Sequence, residues 1–141
     1  MRRLFVCPIK AIKDEIEGSS AYYILCTMYD EYEDNYPNAL KISFLDPEVP
    51  SLPWVFTVEM AKQIVDFFQS TPPDADVFVC CDCDESRSAA IAGVLMRSQG
   101  GDQDSITNGP FFHFNAYVYF VMCKYLNLPL YDGFKWEDFD G

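Results

Sequence analysis

Between Val77 and Ala92 the chain passes from an apolar run to a polar loop and then to an Ala-rich stretch. The residues are Val77-Phe78-Val79-Cys80-Cys81, then Asp82-Cys83-Asp84-Glu85, then Ser86-Arg87-Ser88-Ala89-Ala90-Ile91-Ala92. A short apolar run bounded by polar residues has the marks of a buried strand. The Ala- and Leu-rich stretch from Ser88 to Arg97, stopped by Gly100-Gly101, predicts a helix. A buried strand that feeds a helix through so short a loop commits the chain to layered α/β packing, because the helix must return over the sheet to bury its apolar stripe.

The rest of the chain repeats that alternation. Leu4 to Ile9 predicts a short strand with Pro8 at its end, and Lys10 to Glu17 a short helix or loop stopped by Gly18-Ser19-Ser20. Ala21 to Met28 is an apolar, Tyr-rich run consistent with a second buried strand, and Leu40 to Leu45 predicts a third, ended by Asp46-Pro47. Thr57 is placed as the N-cap of a helix to about Gln69. There Met60, Ala61, Ile64, Val65, Phe67 and Phe68 recur at helical spacing, opposite Glu59, Lys62, Gln63, Asp66 and Gln69. Asn115 to Leu126 predicts another helix. Short strands alternating with helices predict α/β architecture, with a small, largely parallel central sheet flanked by helices. No repeat or Gly/Ser linker marks a boundary, so residues 1–141 are expected to form one domain, long enough for a core without disulfides or a metal.

Charge narrows the partners. The chain carries 22 acidic against 10 basic residues, a net charge of −12. Nucleic acid and anionic membrane surfaces attract Lys/Arg clusters and are therefore not expected as partners. With 50% hydrophobic and 16% aromatic residues, the acidity does not signal a disordered tail. A local anion pocket inside an acidic protein remains compatible with that balance. The opening Met1-Arg2-Arg3 precedes only a four-residue apolar run, Leu4 to Cys7, short of a signal-peptide core. No stretch approaches a membrane span. A cytoplasmic protein is expected, with its six cysteines as thiols. Cys7, Cys26 and Cys123 lie in apolar runs and are expected in the core.

The loop and helix start after Cys81 form the segment that can carry chemistry. A loop entering a helix N-terminus offers unpaired backbone N–H groups and the positive end of the helix dipole, which together favour an anion. Arg87 stands at the helix start, where its guanidinium can grip two oxygens of a phosphate or sulfate. The same field favours the thiolate of Cys81, making it the candidate nucleophile. Ser88 can hydrogen-bond that sulfur and ease its departure.

This Cys-x5-Arg-Ser arrangement, Cys81 to Ser88, resembles the phosphate loop of the cysteine-dependent protein tyrosine and dual-specificity phosphatase superfamily. Ser86-Arg87-Ser88-Ala89-Ala90-Ile91-Ala92 is similar to the helix start of its small dual-specificity-like members. Leu40 to Asp46 resembles the strand leading to the family's acid loop, and Phe56 to Phe68 the helix before the catalytic strand. Leu4-Phe5-Val6-Cys7 and Tyr23-Ile24-Leu25 fit the two earlier strands. Low-molecular-weight phosphatases share the spacing but place it near the N-terminus.

The resemblance implies a phosphomonoester hydrolase working through a phosphocysteine, with no metal or cofactor. Cys81 is then the nucleophile, Arg87 the phosphate clamp, Ser88 the thiolate partner and Asp46 the general acid. Backbone N–H groups of Asp82, Cys83, Asp84, Glu85, Ser86 and Arg87 form the cradle. The substrate is expected to be a phosphorylated protein or small molecule. Two positions depart from the family pattern: Cys80 stands where His precedes the nucleophile, and Asp84 stands where Gly follows it three residues on. They motivate a second reading, a phosphatase-fold module that binds a phosphorylated ligand with little turnover.

Asp30 and Asp34 are weaker candidates for the acid. Cys80, Cys81 and Cys83 lack the paired Cys-x2-Cys spacing of structural zinc, and neighbouring strand residues point to opposite faces. Cys83 is also placed to trap oxidised Cys81 as a disulfide. His113 is isolated among Phe111, Phe112 and Phe114, and Tyr117, Tyr119 and Tyr125 are expected to pack on the last helix. The acidic, aromatic C-terminus from Trp136 to Asp140 is either docked on the body or a partner contact.

Overall fold

The four apolar runs lie side by side in the computed structural model, which describes residues 1–12, 14–16, 18–27, 37–44, 56–82, 86–103 and 115–130. They form β1 (Arg3–Pro8), β2 (Tyr22–Cys26), β3 (Ala39–Ile42) and β4 (Asp76–Cys81), all parallel, in the spatial order β1-β4-β2-β3. Helices α1 (Val58–Ser70), α2 (Ser86–Ser98) and α3 (Ala116–Leu126) complete the described α/β framework. No helix among the described residues is long and apolar enough to cross a membrane.

Pairing trims two of the expected strands. Ala21 to Met28 contributes only Tyr22–Cys26, and Leu40 to Leu45 gives way to Ala39–Ile42. Among the described residues β3 has one neighbour, β2, and their ladder ends where Cys26 pairs Ile42. A strand needs a hydrogen-bonding partner as well as apolar residues, and the sequence displays only the second. Between Lys10 and Glu17 the described residues hold a single 3-10 turn, Ile9–Ala11.

The helices begin where short polar side chains take over backbone donors. Thr57, in extended conformation, accepts from the Met60 N–H at 3.2 Å and starts α1, as expected from the sequence. Asn115 does the same for α3, accepting from the Val118 N–H at 3.0 Å. At the other end of α3, Asn127 adopts the left-handed conformation (φ 57), and the Leu128 N–H closes on the Cys123 carbonyl at 2.9 Å. Gly100 (φ 85) ends α2 in the same conformational region, which a side chain rarely occupies. α2 starts at Ser86, two residues ahead of the expected Ser88, so both Arg87 and Ser88 fall in its first turn.

Strand alternation divides the interior into two cores. Ile24, Cys26, Ile42, Val77, Val79 and Cys81 face the layer of α1, α2 and α3, meeting Ile64 and Phe68, Ile91 and Leu95, and Tyr119 and Met122. Ile24, Val79, Ile91 and Leu95 are each fully buried, which is worth roughly 1.5–3 kcal/mol per side chain. The opposite face carries Tyr23, Leu25, Ala39 and Cys80, covered by Ile9, Ile12 and Ile16. Phe5, Phe78 and Tyr23 stack across β1, β4 and β2 on that face, with ring centroids 4.9 and 5.4 Å apart.

Candidate active site

Because the strands run parallel, β2, β3 and β4 all release the chain at the same edge of the sheet, the edge where open α/β sheets bind ligands. Cys26 and Cys81, the last residues of β2 and β4, are partners in register. Thr27 follows the first, Asp82 follows the second, and Phe44 stands two residues past the end of β3. The first turn of α2 meets this edge. Its leading N–H groups have no carbonyl partner within the helix, so they and the dipole favour negative charge there.

The side chains converge on Cys81. Its Sγ lies 3.2 Å from Ser88 Oγ, and both residues are fully buried. The hydroxyl is therefore in place to hydrogen-bond the sulfur in either protonation state. Beside it, burial first and the Cys81 charge second push the Cys26 thiol well above its ordinary pKa, so Cys26 stays protonated beside Cys81. One of the two register-paired thiols, Cys26, is thus kept neutral.

Arg87 is 4% exposed and is held on two sides. Its Nη1 donates to the Phe44 carbonyl at 2.9 Å, and the guanidinium carbon lies 5.9 Å from the centroid of the Phe44 ring. Its Nη2 donates to Asp82 Oδ2 at 2.8 Å, while Thr27 Oγ1 donates to Asp82 Oδ1 at 2.7 Å. Burial opposes the arginine charge, but the hydrogen bond to Asp82 and the negative charges of Cys81 and Asp82 outweigh it and raise the Arg87 pKa. Nε, on the same guanidinium edge as Nη2, is buried without a hydrogen-bond partner among the described residues. A buried N–H left so costs about 1–3 kcal/mol unless an acceptor reaches it.

Cys81, Asp82, Arg87 and Ser88 are thus brought together where β4 ends and α2 starts, linked by hydrogen bonds, with Cys81, Arg87 and Ser88 buried. Ser86 supplies the first helical position. Cys83, Asp84 and Glu85 lie outside the described residues, as do Asp46, Asp30, Asp34 and His113. Phe44, which accepts from Arg87, is the last described residue before the segment that holds Asp46. Cys80 turns away from Cys81 into the opposite core, as expected for neighbours on a strand. Among the described residues no group of three His, Cys, Asp or Glu side chains is placed to hold a metal ion. Tyr119 packs in the core and bonds Arg97 and Gln103, while Tyr117 and Tyr125 flank the core partly buried.

Three contributors escaped the sequence reading: Thr27, Phe44 and Cys26. Each sits at or just beyond the end of an apolar run. In a parallel sheet those ends share one edge, but which of them touch Arg87 depends on the strand order. No protein-family model matches the chain, and no curated protein matches it.

Proposed function

We propose that residues 1–141 form a cysteine phosphatase-like domain that hydrolyses a phosphomonoester through a phosphocysteine. The observation that carries this reading is the buried Cys81–Ser88 contact at 3.2 Å beside Arg87, whose Nε is open, at the N-terminus of a helix. A cysteine sulfur, a guanidinium donor and the N-terminal end of a helix in one place are the parts an oxyanion transfer needs. The Cys81 thiolate attacks phosphorus, forming the P–S bond as the P–O bond to the leaving group breaks. Asp46 protonates that leaving oxygen. Water then attacks the phosphocysteine, Asp46 takes its proton, and the P–S bond breaks with the Ser88 hydroxyl donating to the departing sulfur. Arg87 holds the phosphoryl oxygens through Nε, and through Nη2 once Asp82 gives way. The substrate is a phosphorylated protein or small molecule.

Two observations favour a second reading, a binding module with little turnover. Cys81 has no exposed surface, and the Asp82 carboxylate already occupies Nη2 of Arg87. A carboxylate there repels an incoming dianion and competes for the same donor. One experiment separates the readings. Hydrolysis of an aryl phosphate is measured with and without vanadate, for the wild type and Cys81→Ser, alongside phosphate binding by calorimetry. Vanadate-sensitive turnover that vanishes in Cys81→Ser supports the enzyme. Phosphate binding without turnover supports the module. Absence of both overturns the anion site.

A further inference from the structure

We propose that Cys7 and Cys80 form an oxidation site, closed to a disulfide between β1 and β4 by a small hydroperoxide. The two residues are register partners in the parallel ladder, and their Sγ atoms lie 3.3 Å apart in a hydrogen bond. Adjacent strands stand about 4.7–4.9 Å apart, inside the range of Cα separations that disulfides span. Closing the gap to a bond of about 2.05 Å therefore asks for side-chain rotation, with no shift of the strands.

The surroundings assign each sulfur a role. Cys7 is partly exposed, which gives an oxidant a route to it, whereas Cys80 is fully buried. The hydrogen bond with Cys7, then burial, push the Cys80 thiol far above its ordinary pKa, so Cys80 keeps its proton and the more accessible Cys7 is the sulfur an oxidant meets first. Cys26 and Cys81 lie on the other face of the sheet, and Cys123 lies on α3 in that same helical core. Among the described cysteines, Cys80 is thus the one that shares a core cluster with Cys7.

The chemistry closes with the oxidant as the one added reagent. The Cys7 thiolate attacks the terminal peroxide oxygen, the O–O bond breaks, and the alkoxide leaves to take up a proton as an alcohol, or as water from hydrogen peroxide. Cys7 is then a sulfenic acid. The Cys80 sulfur attacks the Cys7 sulfur, the S–S bond forms and the S–O bond breaks. Hydroxide leaves with the Cys80 proton as water. The two sulfurs together lose two electrons, and the peroxide gains them. Cys80 sits one residue before Cys81 yet on the other face, so the Cys7–Cys80 site stands or falls without reference to phosphatase activity.

The test uses the full chain treated with limiting hydrogen peroxide, alkylated, and digested with trypsin without reduction. Cys7 falls in the peptide Leu4–Lys10, and Cys80 in Gln63–Arg87 with Cys81 and Cys83. The expected product is these two peptides joined, lighter by two hydrogens than the pair of thiol peptides, with fragmentation placing the link on Cys80. Cys81→Ser keeps the link and Cys7→Ser loses it. Fragmentation of the wild type alone decides the matter should Cys7→Ser fold poorly. Recovery of Cys7 as an alkylated thiol while Cys81 is bonded to Cys83 or Cys26 overturns the proposal, as does a Cys7 link to any residue but Cys80.

Discussion

Cys80 and Cys81 are consecutive, equally buried, and end the same strand, yet they belong to different chemistries. Cys81 faces the helical layer, with a hydroxyl 3.2 Å away and the buried Arg87 charge beside it. Cys80 faces the other core, where it shares a hydrogen bond with a second thiol at 3.3 Å. Burial by itself suppresses a thiolate, and among the described residues no cation offsets it on the Cys80 side. On the Cys81 side stand the N-terminus of α2 and the Arg87 guanidinium. The difference teaches that a cysteine's reactivity belongs to the face it points into, and that alternation along β4 delivers two faces from adjacent residues.

Substitution of the two cysteines tests this contrast most severely. Cys81→Ser should lower turnover of an aryl phosphate by about 10⁴-fold or more, as loss of a nucleophile does. Cys80→Ala should leave turnover within about tenfold and cost only about 1 kcal/mol of stability. Comparable losses in both variants would break the division between faces. Steady-state kinetics beside urea unfolding measure both quantities.

Phe44→Ala probes the Cys81 side from the packing direction. The ring is fully buried, stacks edge-on with Phe56 at 4.8 Å, and lies under Arg87. Its removal should cost about 4 kcal/mol in urea unfolding, with a further loss of phosphate affinity as Arg87 loses its support. Retained affinity in the folded variant would show that the Phe44 carbonyl, and not the ring, holds the guanidinium.

Asp82→Asn keeps the shape and removes the charge. Arg87 is then buried without its counterion, which should cost about 3 kcal/mol. Inorganic phosphate should restore more stability to this variant than to the wild type, because the ligand replaces the lost carboxylate and binding to the folded state adds directly to its stability. Thermal unfolding across a phosphate series reads the difference. Equal phosphate shifts in both proteins would mean that Asp82 does not compete for the anion.

The smallest effect lies farther from the site. Burial first, and the Cys123 charge after it, push the Tyr119 hydroxyl up to about 12 from an ordinary 10.0, despite the opposing Arg97. A raised pKa means that the unfolded chain ionises first. The stability held by neutral Tyr119 is therefore fully present below about pH 10 and is lost as pH rises toward 12. Tyr119→Phe should flatten that alkaline slope in pH-dependent unfolding while leaving the cysteine contrast untouched.

Much of this framework was legible along the chain. Thr57 marks the start of α1, Gly100 the end of α2, and the apolar runs mark all four strands. The Cys81, Arg87 and Ser88 group was legible too, because a strand, a short loop and a helix start bring it together locally. The trimmed ends of β2 and β3, and the partners Thr27 and Phe44, were not, because they depend on which strand lies beside which. Cys7 and Cys80 are 73 residues apart, and nothing in either neighbourhood announces the other.

By itself, then, the sequence determined the alternating elements, the local loop-to-helix site, and the outward split of Cys80 from Cys81. These follow from short-range sterics and from the two-residue period of a strand. Only the tertiary structure decided that Thr27 stands behind Asp82, and that Cys80 meets Cys7. The strand order β1-β4-β2-β3 sets both contacts, and a sheet's order comes from burying every apolar face at once, a balance that no single segment contains.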